Sequence, residues 1–380
     1  MRVALVHDYL KEYGGAERVL EALREIWPQS EIYTAFYFPR FLGPHRQRIE
    51  KWPVKSWWVG KLPLADHLIS PFRLFTPHYF SHLNLSDFEV VIVSSTGAYQ
   101  PNLVKTKKGA HFCYCHTPPR FLYGYPTARN WQKHWWGRIA GQLVNHFLRQ
   151  KDFEAAQKVD YFIANSQNTA ARIKKFYRRE SRVIYPPVAV EKFIPQKKVK
   201  REDYFLAGGR LARAKRIDLA VKACVRLNLP LKVFGRPFGD YGEELKKMAQ
   251  GGKVEFLGEV SDEQLVSLYQ RCRAFIFPAQ EEDFGIVPVE AMAAGRPVIA
   301  LSSGGVLETI IPGKTGEFFE KPTVSSLARV LASFNDTLYN SEDCIKQAQK
   351  FSEGRFKKEI EEMINEKLMQ KSKCKMQNEK

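Results

Sequence analysis

The sequence predicts an α/β fold of two doubly wound domains facing a cleft, on three observations. Short apolar runs alternate with amphipathic stretches almost throughout the 380 residues. The alternation breaks once, at 185–203, and then resumes over a second half of similar size. Strands alternating with helices favour a parallel sheet covered on both faces. A chain that is 44% hydrophobic and 26% charged has ordinary globular composition, and its length suits about two domains of roughly 150 residues.

The elements follow in order. "RVALVH" (2–7) reads as a strand, and "GGAERVLEALREIWP" as a helix stopped by Pro28. "SEIYTAF", "FEVVIVSS", "HFCYCH" and "DYFIANS" are β-branched or aromatic runs of strand length. Residues 132–159 and 167–178 read as helices, and 182–184 as a strand. "YPPVAVEKFIPQKKVKRED" carries three prolines and a charge run without either period, so it reads as a linker. The predicted domains are therefore 1–185 and 203–350, joined by a linker at 186–202. In the second half the strands are "YFLAGG", "LKVFG", "KVEFLG", "AFIFP" and "PVIAL". The helices are "KRIDLAVKACVRL", "GEELKKMAQ", "DEQLVSLYQR", "VPVEAMAAG" and "VSSLARVLASF". Residues 351–380 form an amphipathic helix ending in a polar, lysine-rich tail.

Composition narrows the class. No run of about 18 apolar residues occurs, so no membrane-spanning helix is expected. "MRVALVHDYL" lacks a long apolar core and a cleavage site, and no signal peptide is expected. The six cysteines, at 113, 115, 224, 272, 344 and 374, include no CxxC pair. They read as buried thiols in a reducing cytoplasm. The formal charge of +18 favours an anionic partner: nucleic acid, an anionic membrane surface or a phosphorylated ligand. A solvated basic surface would give the same charge.

In open parallel sheets, ligands sit at the carboxyl ends of strands, where helix N-termini point. Four clusters fall there. Gly14 and Gly15 lie between the first strand and first helix, where backbone N–H groups approach a ligand closely. A tight turn needing positive φ would look the same, and the GxGxxG dinucleotide fingerprint is absent. In "GGRLARAKR", Arg210 and Lys215 are two cations ahead of a helix, suited to a diphosphate or simply exposed to water. Glu282 follows "AFIFP", and Phe284, Gly285 and Ile286 lead into the helix that carries Glu290, eight positions on. Carboxylates accept hydrogen bonds from sugar hydroxyls and helix-start amides take phosphate oxygens, so the two acids bracket a sugar–diphosphate–ribose ligand. In "YCHTPPR", His116 sits just past a strand with Arg120 close by, as a ligand contact or as a structural histidine.

Together Gly14–Gly15, His116, Arg210 with Lys215, and the E-x7-E pair Glu282–Glu290 resemble the retaining family-4 (group 1) glycosyltransferases of the GT-B fold, whose two domains are Rossmann-like. "GGVLETIIPGKTGEFF" continues the likeness, which covers nearly the whole chain. "HDYLKEYGGAERVLEAL" with "CHTPPRFLY" is similar to the mannosyltransferases of O-antigen and other surface polysaccharides. The resemblance implies that the first domain binds a glycan or lipid-linked acceptor and the second a nucleotide-sugar donor, GDP-mannose. It implies that Arg210 and Lys215 neutralise the departing diphosphate. Glu282 and the Phe284–Ile286 backbone would hold the donor sugar and phosphates, and Glu290 the ribose. Gly14 and Gly15 would approach the diphosphate, and His116 the transferring sugar. The C-terminal helix would pack back on the first domain. Asp283 departs from the family's E-G-F-G, where glycine is common.

No D-x-D occurs, and neither a metal nor a cofactor beyond the donor substrate is expected. "PGKT" at 312–315 lacks the earlier glycine of a phosphate loop and reads as a turn. Residues 46–80 and the helical "ARNWQKHWWGRIAGQLVNHFLRQ" combine cations with aromatics; Trp131, Trp135 and Trp136 lie near Lys133 and Arg138. Such surface suits an anionic membrane and peripheral attachment at the inner face of the cell membrane, unless these tryptophans are core. Rival readings are a nucleotide-sugar epimerase or phosphorylase of the same fold, an inactive partner subunit that Glu282, Glu290 and both cations argue against, and a basic nucleic-acid-binding protein. No nucleic-acid partner is expected, because no reading module or repeated stacking surface appears.

Overall fold

The computed structural model describes residues 1–97, 99–107, 109–125, 135–197 and 199–378, with the side chains of 135–140, 143 and 374–378 outside that description. It divides into two compact units: of the described residues, the first holds those within 1–125, 135–187 and 354–378, and the second those within 188–353. Each holds one parallel sheet.

In the first unit the strands are β1 (Val3–Leu10), β2 (Glu31–Tyr37), β3 (Val54–Ser56), β4 (Val90–Ser95), β5 (Ala110–Cys115), β6 (Tyr161–Ala164) and β7 (Ser181–Val183). Their order is β3-β2-β1-β4-β5-β6-β7. The winding direction reverses between β1 and β4, which places a crevice at the carboxyl ends of those two strands. The parallel register sets His7 opposite Ser94 and Ser95 opposite Cys115. β5 shows how period-2 alternation serves two layers. Cys113 and Cys115 join Phe162 and Ala164 in one core, while Phe112 and Tyr114 face another with Leu5 and Ile92.

That second core includes Phe356, Ile360, Met363 and Ile364 of the Glu353–Asn378 helix. Their spacing makes one apolar stripe on a 3.6-residue period. Phe356 meets Tyr114 edge to face at 5.7 Å. Lys357 pairs with Glu25 at 2.5 Å, and Arg355 donates to the Tyr185 carbonyl at 2.7 Å.

In the second unit β8 (Phe205–Gly208), β9 (Leu231–Phe234), β10 (Val254–Gly258), β11 (Phe275–Phe277), β12 (Val298–Leu301) and β13 (Gly316–Phe319) are ordered β10-β9-β8-β11-β12-β13. The reversal here falls between β8 and β11. The stretch 186–202 is more than a linker. Residues from Val188 onward belong to the second unit, and Val190 and Phe193 of a short helix, Val190–Phe193, are buried there. Their apolar side chains outweigh the proline and charge signals around them. The sequence reading also omitted β3, β13 and the Ser341–Gln349 helix. The first two are edge strands of three and four residues, too short to show a period.

Five of the six cysteines, at 113, 115, 224, 272 and 344, are free and buried. "PGKT" is a turn: Gly313 has φ +71 and donates to the Gly316 carbonyl at 3.0 Å.

Candidate active site

Each unit gathers predicted residues at the carboxyl edge of its sheet. In the first, β1 delivers His7 and Asp8, and the Gly15–Ile26 helix begins five residues beyond the strand. Gly14 caps that helix with φ −143 and ψ −155, so no left-handed turn demands glycine there. Its N–H donates to Glu17 Oε2 at 2.8 Å. The other Glu17 oxygen lies 3.6 Å from His7 Nε2, and both side chains are at least 95% buried. His7 Nδ1 meets the Ser94 carbonyl at 3.0 Å and the Ser94 hydroxyl at 3.1 Å. The same hydroxyl lies 2.9 Å from His116 Nε2. Gly14 and His116, a hundred residues apart in the chain, are thus linked through Glu17, His7 and Ser94.

His116 is anchored by its backbone as well. Its N–H donates to the Ser95 carbonyl at 2.9 Å, and its own carbonyl accepts from the Asn165 amide at 2.8 Å. Burial of the ring, reinforced by the neighbouring His7, pushes the imidazole down to about 3, so it stays neutral at physiological pH. Asp8, next to His7 in the chain, pins the end of β1 to the loop after β4. It accepts from the Thr96 N–H and hydroxyl and from the Tyr99 N–H. Burial raises its carboxyl above the usual range, against the opposing pull of His7 and these donors. His7, Asp8, Glu17 and Ser94 were missed by sequence reasoning. The histidine and acid at the end of the first strand, in "VHDYL", were the only signal available.

In the second unit, Arg210 and Lys215 lie on the loop between β8 and the Ile217–Arg226 helix. Lys215 Nζ donates to Glu282 Oε2 at 2.5 Å, with both side chains partly exposed. These two residues, predicted for diphosphate and sugar respectively, therefore meet. Arg210 is exposed on the same loop. The pair is flanked by strained backbone: Arg216, one residue after the lysine, has φ 52, and Glu281, one residue before the acid, has φ 54. Each left-handed non-glycine residue costs roughly 1–2 kcal/mol, and such strain clusters at functional sites. Ser303 steadies Glu281, accepting from its N–H at 3.1 Å.

The loop after Glu282 is shaped by glycines on both sides. Gly304 pairs with Glu282, and a Cβ there would stand 2.3 Å from the Glu282 carbonyl. Gly285, with φ +92, turns the chain into the Ile286–Ala293 helix. Asp283 is absent from the residues with positive φ, so the family's glycine is not required at that position. The Phe284 side chain is buried against Phe351, with ring centroids 5.4 Å apart. The start of the helix offers N–H groups without intrahelical partners, and Pro288, in its first turn, forfeits no bond. Glu290 is only 2% exposed and accepts from the Tyr269 hydroxyl at 3.2 Å. Among the described residues no three His, Cys, Asp or Glu side chains gather as a metal-binding group.

Two parallel-sheet units, each with polar residues gathered at the carboxyl edge of its sheet, have the architecture of the GT-B class of glycosyltransferases. Residues 13–192 match the description "Glycosyltransferase Family 4", and 190–351 match "Glycosyl transferases group 1". The chain belongs to this family. It is 30% identical to the Alpha-1,3/1,6-mannosyltransferase ALG2 of Mus musculus and 29% to that of Homo sapiens, over 82% of this chain and of each relative. Among solved structures, the sucrose-phosphate synthase of Thermosynechococcus elongatus is similar with a TM-score of 0.73 at 18% identity, covering 97% of this chain and 100% of its own. Alr3699/HepE of Anabaena, in complex with UDP, is similar with a TM-score of 0.69 at 16% identity, covering 96% and 100%. The epimerase, phosphorylase and nucleic-acid readings find no support in these likenesses.

Proposed function

We propose that this enzyme transfers a mannosyl residue, with retention of anomeric configuration, from GDP-mannose to a glycan or lipid-linked acceptor. The sugar is supported by the likeness to the mouse mannosyltransferase. The observation that carries the chemistry is the Lys215–Glu282 pair, held by strained loops ahead of the Ile286–Ala293 helix. Charge develops on the departing diphosphate as the glycosidic bond breaks. Lys215 and Arg210 neutralise it, and the helix-start N–H groups of Gly285 and Ile286 donate to its oxygens. Glu282 takes the sugar hydroxyls, its carboxylate fixed by Lys215. Glu290 receives the ribose. From the first unit the resemblance supports His116 for the transferring sugar and the Gly15 N–H for the diphosphate, the Gly14 N–H being held by Glu17. The acceptor hydroxyl attacks from the face the diphosphate leaves and gives its proton to a phosphate oxygen, so no carboxylate nucleophile is needed. Positioning and electrostatics supply the rate. No step requires a metal, and full activity in EDTA is expected; abolished activity would overturn that part.

Peripheral attachment to the inner, cytoplasmic face of an anionic membrane fits the first unit. Trp58, Leu64 and Phe75 are 65%, 67% and 58% exposed, with Leu62 and Leu68 beside them and Lys51, Lys55 and Lys61 on the surface of the same stretch. Trp57 instead stacks on Tyr79 at 5.4 Å. Trp131 and Lys133 lie outside the described residues, as do the side chains of Trp135, Trp136 and Arg138. Among the described residues no helix is long and apolar enough to cross a membrane.

Thermal stabilisation by GDP, UDP, ADP and their sugar conjugates tests the donor. GDP and GDP-mannose should raise Tm most, a ligand at a hundred times its Kd adding about 2.7 kcal/mol. The shift should shrink in Lys215→Ala. A larger shift with UDP would change the donor, and no shift with any nucleotide would sink the transferase reading.

A further inference from the structure

We infer that His7, acting through Ser94, is a positioning residue that fixes His116 as its Nδ1–H tautomer. The inference rests on the reading that His116 meets the transferring sugar, and it specifies what the ring presents to it.

The assignment follows from counting protons. A main-chain carbonyl can only accept, so the 3.0 Å contact between His7 Nδ1 and the Ser94 carbonyl requires a proton on that nitrogen. The Ser94 hydroxyl oxygen, 3.1 Å from the same nitrogen, then accepts a share of that proton. Ser94 is fully buried, and its own hydroxyl proton must find an acceptor. The nitrogen available is His116 Nε2, at 2.9 Å. If His116 donated there instead, the serine oxygen would receive two protons and its own would have no acceptor. His116 Nε2 therefore carries a lone pair. A neutral imidazole keeps one proton, and it sits on Nδ1. His116 offers a sugar oxygen a hydrogen-bond donor, not a base.

The far end of the relay keeps His7 in this orientation. Its Nε2 has no hydrogen-bond partner within reach but faces Glu17 Oε1 at 3.6 Å. Turning the ring over would place carbon atoms against the carboxylate and against the Ser94 carbonyl. Glu17 is in turn fixed by the Gly14 N–H. The helix cap and the His116 tautomer are thus connected through Glu17, His7 and Ser94 in the interior of the unit, the step from Glu17 to His7 being a 3.6 Å contact.

The test is nitrogen NMR on protein labelled with 15N in its histidines, with the His116 signals identified by their loss in His116→Asn. Wild-type His116 should show a protonated Nδ1 and an unprotonated Nε2 at neutral pH. Ser94→Ala should redistribute the proton towards Nε2, and Ser94→Thr, which keeps the hydroxyl, should preserve the wild-type pattern. Ser94→Ala should also lower kcat by roughly tenfold or more while leaving the Kd for the nucleoside diphosphate unchanged. A wild-type ring protonated on Nε2, or a tautomer indifferent to Ser94→Ala, would overturn the inference. The wild-type spectrum decides the first point even where the alanine variant fails to fold. A His116→Asn enzyme with undiminished kcat would instead remove the sugar contact while leaving the tautomer as found.

Discussion

At the scale of single residues, the Lys215–Glu282 pair and the buried acids make the sharpest predictions. Lys215→Ala removes both a cation for the diphosphate and the partner that holds Glu282. It should lower kcat by roughly 10²-fold or more, read from donor turnover at saturation; an unchanged kcat would detach Lys215 from the leaving group. His116, pushed down to about 3, should add no step to the pH–rate profile between about pH 5.5 and 8. Asp152 concerns stability. It is buried beneath Tyr123, whose hydroxyl donates to it at 2.9 Å, and burial lifts its carboxyl to about 7. The unfolded chain loses that proton near 4. Between these values the folded state holds a proton that the unfolded state has released, so stability falls as pH rises through the window. The loss is on the order of a few kcal/mol, and Asp152→Asn should abolish it. Urea midpoints at pH 5 and 8 would show the wild type declining more than the variant; parallel declines would count against the assignment. The residues that sequence alone proposed, Lys215, Glu282 and Glu290, follow the readable strands β8 and β11, on the loops or in the helix beyond them. His7 and Ser94 were hidden because 87 positions separate them and only the parallel pairing of β1 with β4 brings them together.

At the scale of elements, the turn into the Ile286–Ala293 helix depends on Gly285. An alanine there would take φ +92 and bring its Cβ to 3.1 Å from Val306. Gly285→Ala should cost about 1–2 kcal/mol and weaken donor binding together with stability. Full stability, measured by denaturant unfolding, would show that the loop relaxes freely. The alternation of strands and helices was legible because each central strand is an apolar run bounded by turn residues. β3 and β13 were not, since three or four edge residues carry too little pattern. The Val190–Phe193 helix was masked for a different reason: prolines and lysines surround the two side chains that anchor it. Local composition there pointed away from the burial that tertiary packing imposes.

At the scale of the molecule, the net charge of +18 and the exposed Trp58, Leu64 and Phe75 predict salt-sensitive membrane attachment. The protein should sediment with vesicles containing anionic lipid at low salt and be released as ionic strength rises. Trp58→Ser with Phe75→Ser should weaken the association at every salt concentration. No sedimentation at low salt would remove the membrane from the proposal. The Glu353–Asn378 helix has its own test. Phe356 is fully buried, so Phe356→Ala should cost about 3–5 kcal/mol, detected in the unfolding of the first unit. That helix also makes the order of synthesis matter. Among the described residues the second unit is one continuous stretch, Val188–Glu353, and can close while translation proceeds. The first unit, begun earliest, waits with an open apolar groove until Phe356 to Ile364 have left the ribosome. Losing the Glu353–Asn378 helix would therefore damage the unit that precedes Val188 in the chain, and a chaperone guarding the nascent chain would have to hold that earlier part longest.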